Sequence, residues 1–338
     1  MRRIGLPMLA KCLAILSVLL FAVLMARRVS ATFPGTNGQI SFGIFNPAIG
    51  DTQIFVSNPD GSKQVQLTAL PSENSDWSPD GSKIAFDYFD GQTVQIATIK
   101  PDATGFVQLT TQENAFHGEP AWSPDGARIA IESDAGNFPA GEGIYLIDSS
   151  TGSLLSRVTA NPYSSADTNP RWSPDSEWIV FTRFKVSMIL PRNFRAPGGV
   201  SALFLVHPDG TSLHQLTRWG LSADTADWSP DGSTIVFVTT EALPIASDLY
   251  TIHPDGSGLK LIVNTGALRP LGAGLGHPKW SPDGTKIIFD GSFGHGGGVT
   301  PAPHGLWTVS PDGSNLTEIP AFVDSSTFFV VWGTHPLQ

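Results

Sequence analysis

The chain has 338 residues, apolar side chains make up 41% of it, and its formal net charge is −10. That apolar content supports a packed core and excludes wholesale disorder. The acidic balance argues against a nucleic-acid backbone or an anionic membrane surface as partner of the folded part. With 35 glycines and 27 prolines there is little room for long helices, and many short strands joined by tight turns are expected.

Residues 1–31 read as a targeting segment. Arg2, Arg3 and Lys11 form a basic start, Cys12 to Met25 is uncharged and mostly apolar, and Val29-Ser30-Ala31 offers small residues to a signal peptidase. The 14-residue apolar run rises about 21 Å as a helix, short of the roughly 30 Å hydrocarbon core. A cleaved signal peptide is the first reading and a retained membrane anchor the alternative. Either places residues 32–338 outside the cytoplasm, whether periplasmic, secreted or anchored facing outward. Cys12 is the sole cysteine, so the folded part has no thiol for a disulfide, a zinc site or a nucleophile.

From residue 37 onward the chain repeats itself. Trp-Ser-Pro-Asp occurs at Trp77, Trp122, Trp172, Trp228 and Trp280, and a decayed sixth copy stands at Trp332. A β-rich run follows each motif, as in Lys83-Ile84-Ala85-Phe86 and Thr234-Ile235-Val236-Phe237. A second run leads into a Pro-Asp-Gly turn, as at Pro59, Pro208, Pro254 and Pro311, and a third ends in Leu-Thr, as at Leu67-Thr68 and Leu216-Thr217. With the stretch before each tryptophan, every unit has four strands. Six such units predict an all-β, six-bladed β-propeller. Asn37 to Phe42 matches the part of a unit that follows the tryptophan turn, and Phe328 to Trp332 the part that precedes it. Pairing of these terminal strands would close the ring and remove its open edges.

This unit resembles the TolB-type propeller repeat, over roughly residues 37–338. The resemblance implies an extracytoplasmic propeller that binds other envelope proteins. The additional N-terminal α/β domain of that family finds no counterpart between Ala31 and Asn37. Similar repeats front prolyl-oligopeptidase-like enzymes and form some pectin-degrading lyases.

Topology sorts the loops. The Ser-Pro-Asp-Gly and Pro-Asp-Gly turns fall together on one face, where proline, aspartate and glycine suit tight turns for local reasons. They lack the dense acidic loop calcium requires. The irregular connections fall on the other face, and those at 183–200 and 290–304 are the long ones. Arg183, Lys185, Arg192 and Arg195 make the first a patch for an anionic partner or simply a solvated loop. The mouth of the central channel should open on this same face. It would be lined three places before the tryptophans by Asn74, Glu119, Asn169, Thr225 and His277, and five places before by His117 and Asp167. His117, Glu119 and His277, with His295 or His304 reaching in, could ligate a divalent metal; otherwise no cofactor is expected. The repeat tryptophans themselves are expected to pack between blades.

No Gly-x-Ser-x-Gly elbow is present, which excludes an appended serine hydrolase of that type. The leading expectation is a noncatalytic, monomeric propeller that binds a protein, peptide or glycan of the cell envelope. The alternative is a metal-dependent polysaccharide lyase of the oligogalacturonate type using His117 and His277, with a metal to stabilise enolate-like charge.

Overall fold

The computed structural model describes residues 35–111, 115–134, 142–160, 165–185, 201–239, 247–265, 274–292, 305–322 and 326–333. These form six four-stranded antiparallel sheets. Blade 1 is clasped from both ends of the chain, Thr327–Trp332 pairing with Ile40–Asn46, followed by Asp51–Ser57 and Val65–Gln66. Blade 2 runs from its inner strand Ser72–Trp77 outward through Ile84–Phe89, Val94–Ile99 and Val107–Gln108. The inner strands of blades 3 to 6 are His117–Trp122, Ser165–Trp172, Ala223–Trp228 and Gly274–Trp280. Each inner strand touches those of both neighbouring blades, the last meeting the first, so the ring is closed.

The second strands read as nearly continuous apolar runs because both of their faces are buried between blades, as in Ile84-Ala85-Phe86 and Ile235-Val236-Phe237. Six hydrophobic clusters occupy the six blade interfaces, and each contains one repeat tryptophan. Trp77 joins Ile54 and Val56 of blade 1 to Ile84 and Phe86 of blade 2. The decayed copy behaves alike, Trp332 packing with Ile288 and Leu306 of blade 6 and with Ile40 and Phe42 of blade 1. Trp122, Trp172, Trp228 and Trp280 fill the corresponding positions.

The Ser-Pro-Asp-Gly turns are satisfied from within. Ser78 Oγ donates to Asp80 at 2.7 Å and accepts the Lys83 N–H at 2.9 Å, while the Gly81 N–H bonds the Ser78 carbonyl. Gly81 has φ +68°, and in the third copy Ser176 takes the same left-handed conformation at φ +64°. With its side-chain bonds supplied by Ser78 and Ser82, Asp80 is a turn former in this fold.

Candidate functional site

Every blade carries the same irregularity at the channel mouth. The pairing register of each inner strand with its neighbour slips just before the tryptophan, as between Glu73 and Asp76 or Gly276 and Lys279. The residue three places before each tryptophan is left-handed: Asn74 (φ +48°), Glu119 (+53°), Asn169 (+53°), Thr225 (+41°), His277 (+46°) and Phe329 (+55°). None is glycine, and such a conformation costs on the order of 1–3 kcal/mol per residue. A β-bulge re-aims its side chain and releases backbone groups from the ladder. In blades 3 and 4 the released N–H is taken up by a carboxylate of the preceding blade, whereas the Thr225 N–H bonds Asp224 of its own strand. Asp87 accepts the Glu119 N–H at 2.9 Å, and Glu119 in turn accepts the Asn169 N–H.

Below this tier lies a second, set by the residue directly before each tryptophan: Asp76, Ala121, Arg171, Asp227, Lys279 and Val331. Acids and bases alternate around it and balance. Lys279 Nζ lies 3.8 Å from Asp227 Oδ1. Burial, with the nearby charge of Arg171, pulls Lys279 down to about 8. Burial also pushes Asp76 up to about 6, against the pull of Arg171 and Lys279. Asp76 and Asp227 also accept the backbone N–H groups of Trp122 and Trp280, at 2.7 and 2.9 Å, so this tier stitches blades together as well.

Above the tiers opens a cup of about 580 Å³, walled mainly by blades 1 to 3 and completed by Asn169 of blade 4 and His277 of blade 6. Asp51, Glu73 and Asp87 line one side, and Glu119, Glu132, Asp134 and Glu142 the other. Tyr88, Phe89, Phe116 and Phe329 add aromatic wall, and no lysine or arginine is among the described lining residues. Burial first, and then the charges of Asp87 and Asp51, push Glu73 up to about 7. Burial likewise raises Asp87 to about 6, although Asn74 Nδ2 and the Glu119 N–H both donate to it. His277 closes the far rim, its Nδ1 2.7 Å from Asp290 Oδ1 and its ring 4.4 Å from that of Phe329.

The sequence-predicted residues divide. Asn74, Glu119, Asn169 and His277 line the cup. Thr225 lines a much smaller space of about 10 Å³ that also touches Arg171 and Lys279. His117 and Asp167 do not reach the mouth, because both have no exposed surface. The bulge turns the position three before the tryptophan toward the channel and leaves the position five before it inside the sheet. Burial pulls His117 down to about 4, so it is neutral at ordinary pH. Arg183, expected among the contacts of an exposed loop, is instead a buried strand residue. Its Nε and Nη2 donate to the two carboxylate oxygens of Asp167 at 2.5 and 2.7 Å, and its guanidinium lies over the Phe204 ring at 4.8 Å. Lys185 is exposed and sits 4.3 Å from the ring centre of Trp219. Arg192, Arg195, His295 and His304 lie outside the described residues. His117 and His277 belong to blades 3 and 6, on opposite sides of the ring, and no group of three potential metal donors converges among the described residues.

Sequence reasoning missed the charged lower tier and most of the acidic wall. The signal for the tier was available, since a charged residue directly precedes the tryptophan in four of six copies. For the wall the signal was partial: Asp87 and Glu132 each stand ten places after a repeat tryptophan, as Asp290 does in blade 6, whereas the other wall carboxylates share no repeat position with one another.

Fold and site together define a closed six-bladed β-propeller with an acidic, aromatic-walled cup at one mouth of its channel. Residues 40–334 match the TolB beta propeller domain, and the chain belongs to that family. It is 30% identical over 244 residues to the Tol-Pal system protein TolB of Francisella tularensis subsp. holarctica, covering 70% of this chain and 50% of that one. The chain thus spans about half the length of the curated relatives it matches. Among solved structures it is similar to TolB from Acinetobacter baumannii, with a TM-score of 0.67, 19% identity, and coverage of 89% of this chain and 67% of that one. It is also similar to an oligogalacturonate lyase in complex with manganese, at a TM-score of 0.55, 15% identity, and coverage of 84% and 74%. At these identities the structural likeness concerns the fold.

Proposed function

We propose that this chain is a noncatalytic, extracytoplasmic binding propeller that captures a protein or peptide of the cell envelope through the cup face. The observation that carries the reading is the cup itself. It is concave and of the volume range typical of ligand sites, and a closed scaffold of six packed blade interfaces supports it. Strained, non-glycine bulge residues reach it from five of the six blades, whereas the opposite face is built of turns whose polar groups satisfy one another. The envelope location draws support from the leader and from the Tol-Pal system relatives. Nothing in the placement of His117 and His277 favours the lyase alternative.

A photo-crosslinking residue at Phe89, on the cup, tests this against one at Leu213, beside the Pro208-Asp209-Gly210 turn; the two sites are 43% and 41% exposed. In cells of the native source, discrete adducts are expected from Phe89 and not from Leu213. Adducts from Leu213 alone, or from neither site, would overturn the proposal.

A further inference from the structure

We infer that Asn37-Gly38 is a spontaneous deamidation site held in check by the closed clasp. The reaction proceeds on chains whose clasp has opened, and its product then hinders reclosure. Asn37-Gly38 is the one Asn-Gly step in the chain. Such a step is intrinsically reactive, because a following glycine leaves its backbone nitrogen without side-chain shielding. Asn-Gly ordinarily serves a tight hairpin turn with positive φ. Here neither residue takes a positive φ, and the step leads directly into the strand Ile40–Asn46 that the C-terminal strand clasps.

Two locks meet on this step. Asn37 Nδ2 donates to Asp283 Oδ2 at 2.9 Å, and Asn37 Oδ1 accepts the Asp283 N–H at 3.2 Å. Asp283 belongs to the Ser-Pro-Asp-Gly turn that follows Trp280 in blade 6, so the arm leading into blade 1 is tied to its neighbour. The Gly35 N–H adds a bond to the Pro282 carbonyl at 3.3 Å. The second lock is on the backbone. The Gly38 N–H donates to the Gly333 carbonyl at 2.9 Å and the Gly333 N–H to that of Gln39 at 2.9 Å, which carries the pairing of the terminal strands past Ile40 and Trp332. Gly38 itself is buried. Both reacting groups are therefore engaged by partners far along the chain, and one event, the lifting of residues 35–39, frees them together.

Deamidation requires the Gly38 nitrogen to lose its proton and attack Asn37 Cγ. A bond forms between that nitrogen and Cγ, the Cγ–Nδ2 bond breaks, and Nδ2 leaves with the proton as ammonia. Water then adds to one of the two carbonyls of the cyclic imide and opens it to aspartate or isoaspartate. With the Gly38 N–H given to Gly333 and the Asn37 amide held on Asp283, the attack cannot begin. Either product spoils the latch. A carboxylate replaces the Nδ2 donor opposite the Asp283 carboxylate, and isoaspartate also lengthens the backbone just ahead of the Gly38–Gly333 bond. The clasp then re-forms less readily, and the strand edges it joins stay open.

The test follows the mass gain at Asn37 by peptide mapping of the full chain at pH 8, with a capped Thr-Asn-Gly-Gln peptide as the unprotected reference. The folded chain is expected to react at least about tenfold more slowly than the peptide. Asp283→Asn keeps the Oδ1 that organises its turn through Ser281 and Thr285, and replaces the oxygen that accepts from Asn37. It should speed the reaction severalfold with an unchanged melting curve. Trp332→Ala, which loosens the clasp from the other strand, should bring the rate close to that of the peptide. Asn37→Asp reproduces one product, and its Gly38 amide is expected to exchange hydrogen severalfold faster than in the wild type, by a margin that shrinks with added salt. A folded chain that reacts as fast as the peptide, an Asp283→Asn variant no faster than the wild type, or unaltered Gly38 exchange in Asn37→Asp would each overturn the inference.

Discussion

Glu73 gives the most direct access to the energetics of the cup. Its carboxyl is pushed from 4.5 to about 7, by burial first and by Asp87 and Asp51 second. At 1.36 kcal/mol per pH unit, such a shift corresponds to about 3 kcal/mol against the folded state once Glu73 is ionised. The side chain is partly exposed, and solvent screening reduces this to about 1–2 kcal/mol. The sign follows from proton binding. Between pH 4.5 and 7 the folded chain holds a proton on Glu73 that the unfolded chain has lost. The penalty is therefore absent below that window and fully present above it. Glu73→Gln keeps the shape of the protonated acid and removes the charge. Urea unfolding of both proteins should show the variant more stable by about 1–2 kcal/mol at pH 8 and nearly equal to the wild type at pH 5. A destabilised variant at pH 8, or an equal gain at both pH values, would refute the electrostatic account of the cup.

Removing the tryptophan that seals the terminal clasp, Trp332→Ala, should cost about 3–5 kcal/mol, read as a fall in the chemical-denaturation midpoint. Ser176→Gly should raise stability by up to about 1 kcal/mol in the same assay, because glycine adopts the left-handed turn position without the serine's steric cost. Arg183→Leu should destabilise by about 3–5 kcal/mol by stranding the fully buried Asp167 carboxylate. The exposed neighbour Lys185→Ala should stay within about 0.5 kcal/mol of wild type. Equal effects of Arg183→Leu and Lys185→Ala would contradict the buried pair.

The architecture was legible in the sequence because its determinants are local and periodic. The spacing of Trp77, Trp122, Trp172, Trp228 and Trp280 counts blades, and the serine, proline, aspartate and glycine beside them specify turns whose hydrogen bonds close within a few residues. Even the clasp could be read, since the termini carry complementary fragments of one unit. Which polar residues face the channel was decided by tertiary structure. A bulge moves one residue across the pleat, so Glu119 reaches the cup while His117, two places earlier, is sealed inside blade 3. Arg183 looked like a loop cation until the register of two strands set it against Asp167. The acidic wall exists only in the assembled ring, where Asp51, Glu73, Glu119 and Glu142 meet from three blades. Periodic contacts write themselves into periodic sequence. A binding site built from the differences between repeats leaves no such period, and only the closed fold brings its residues together.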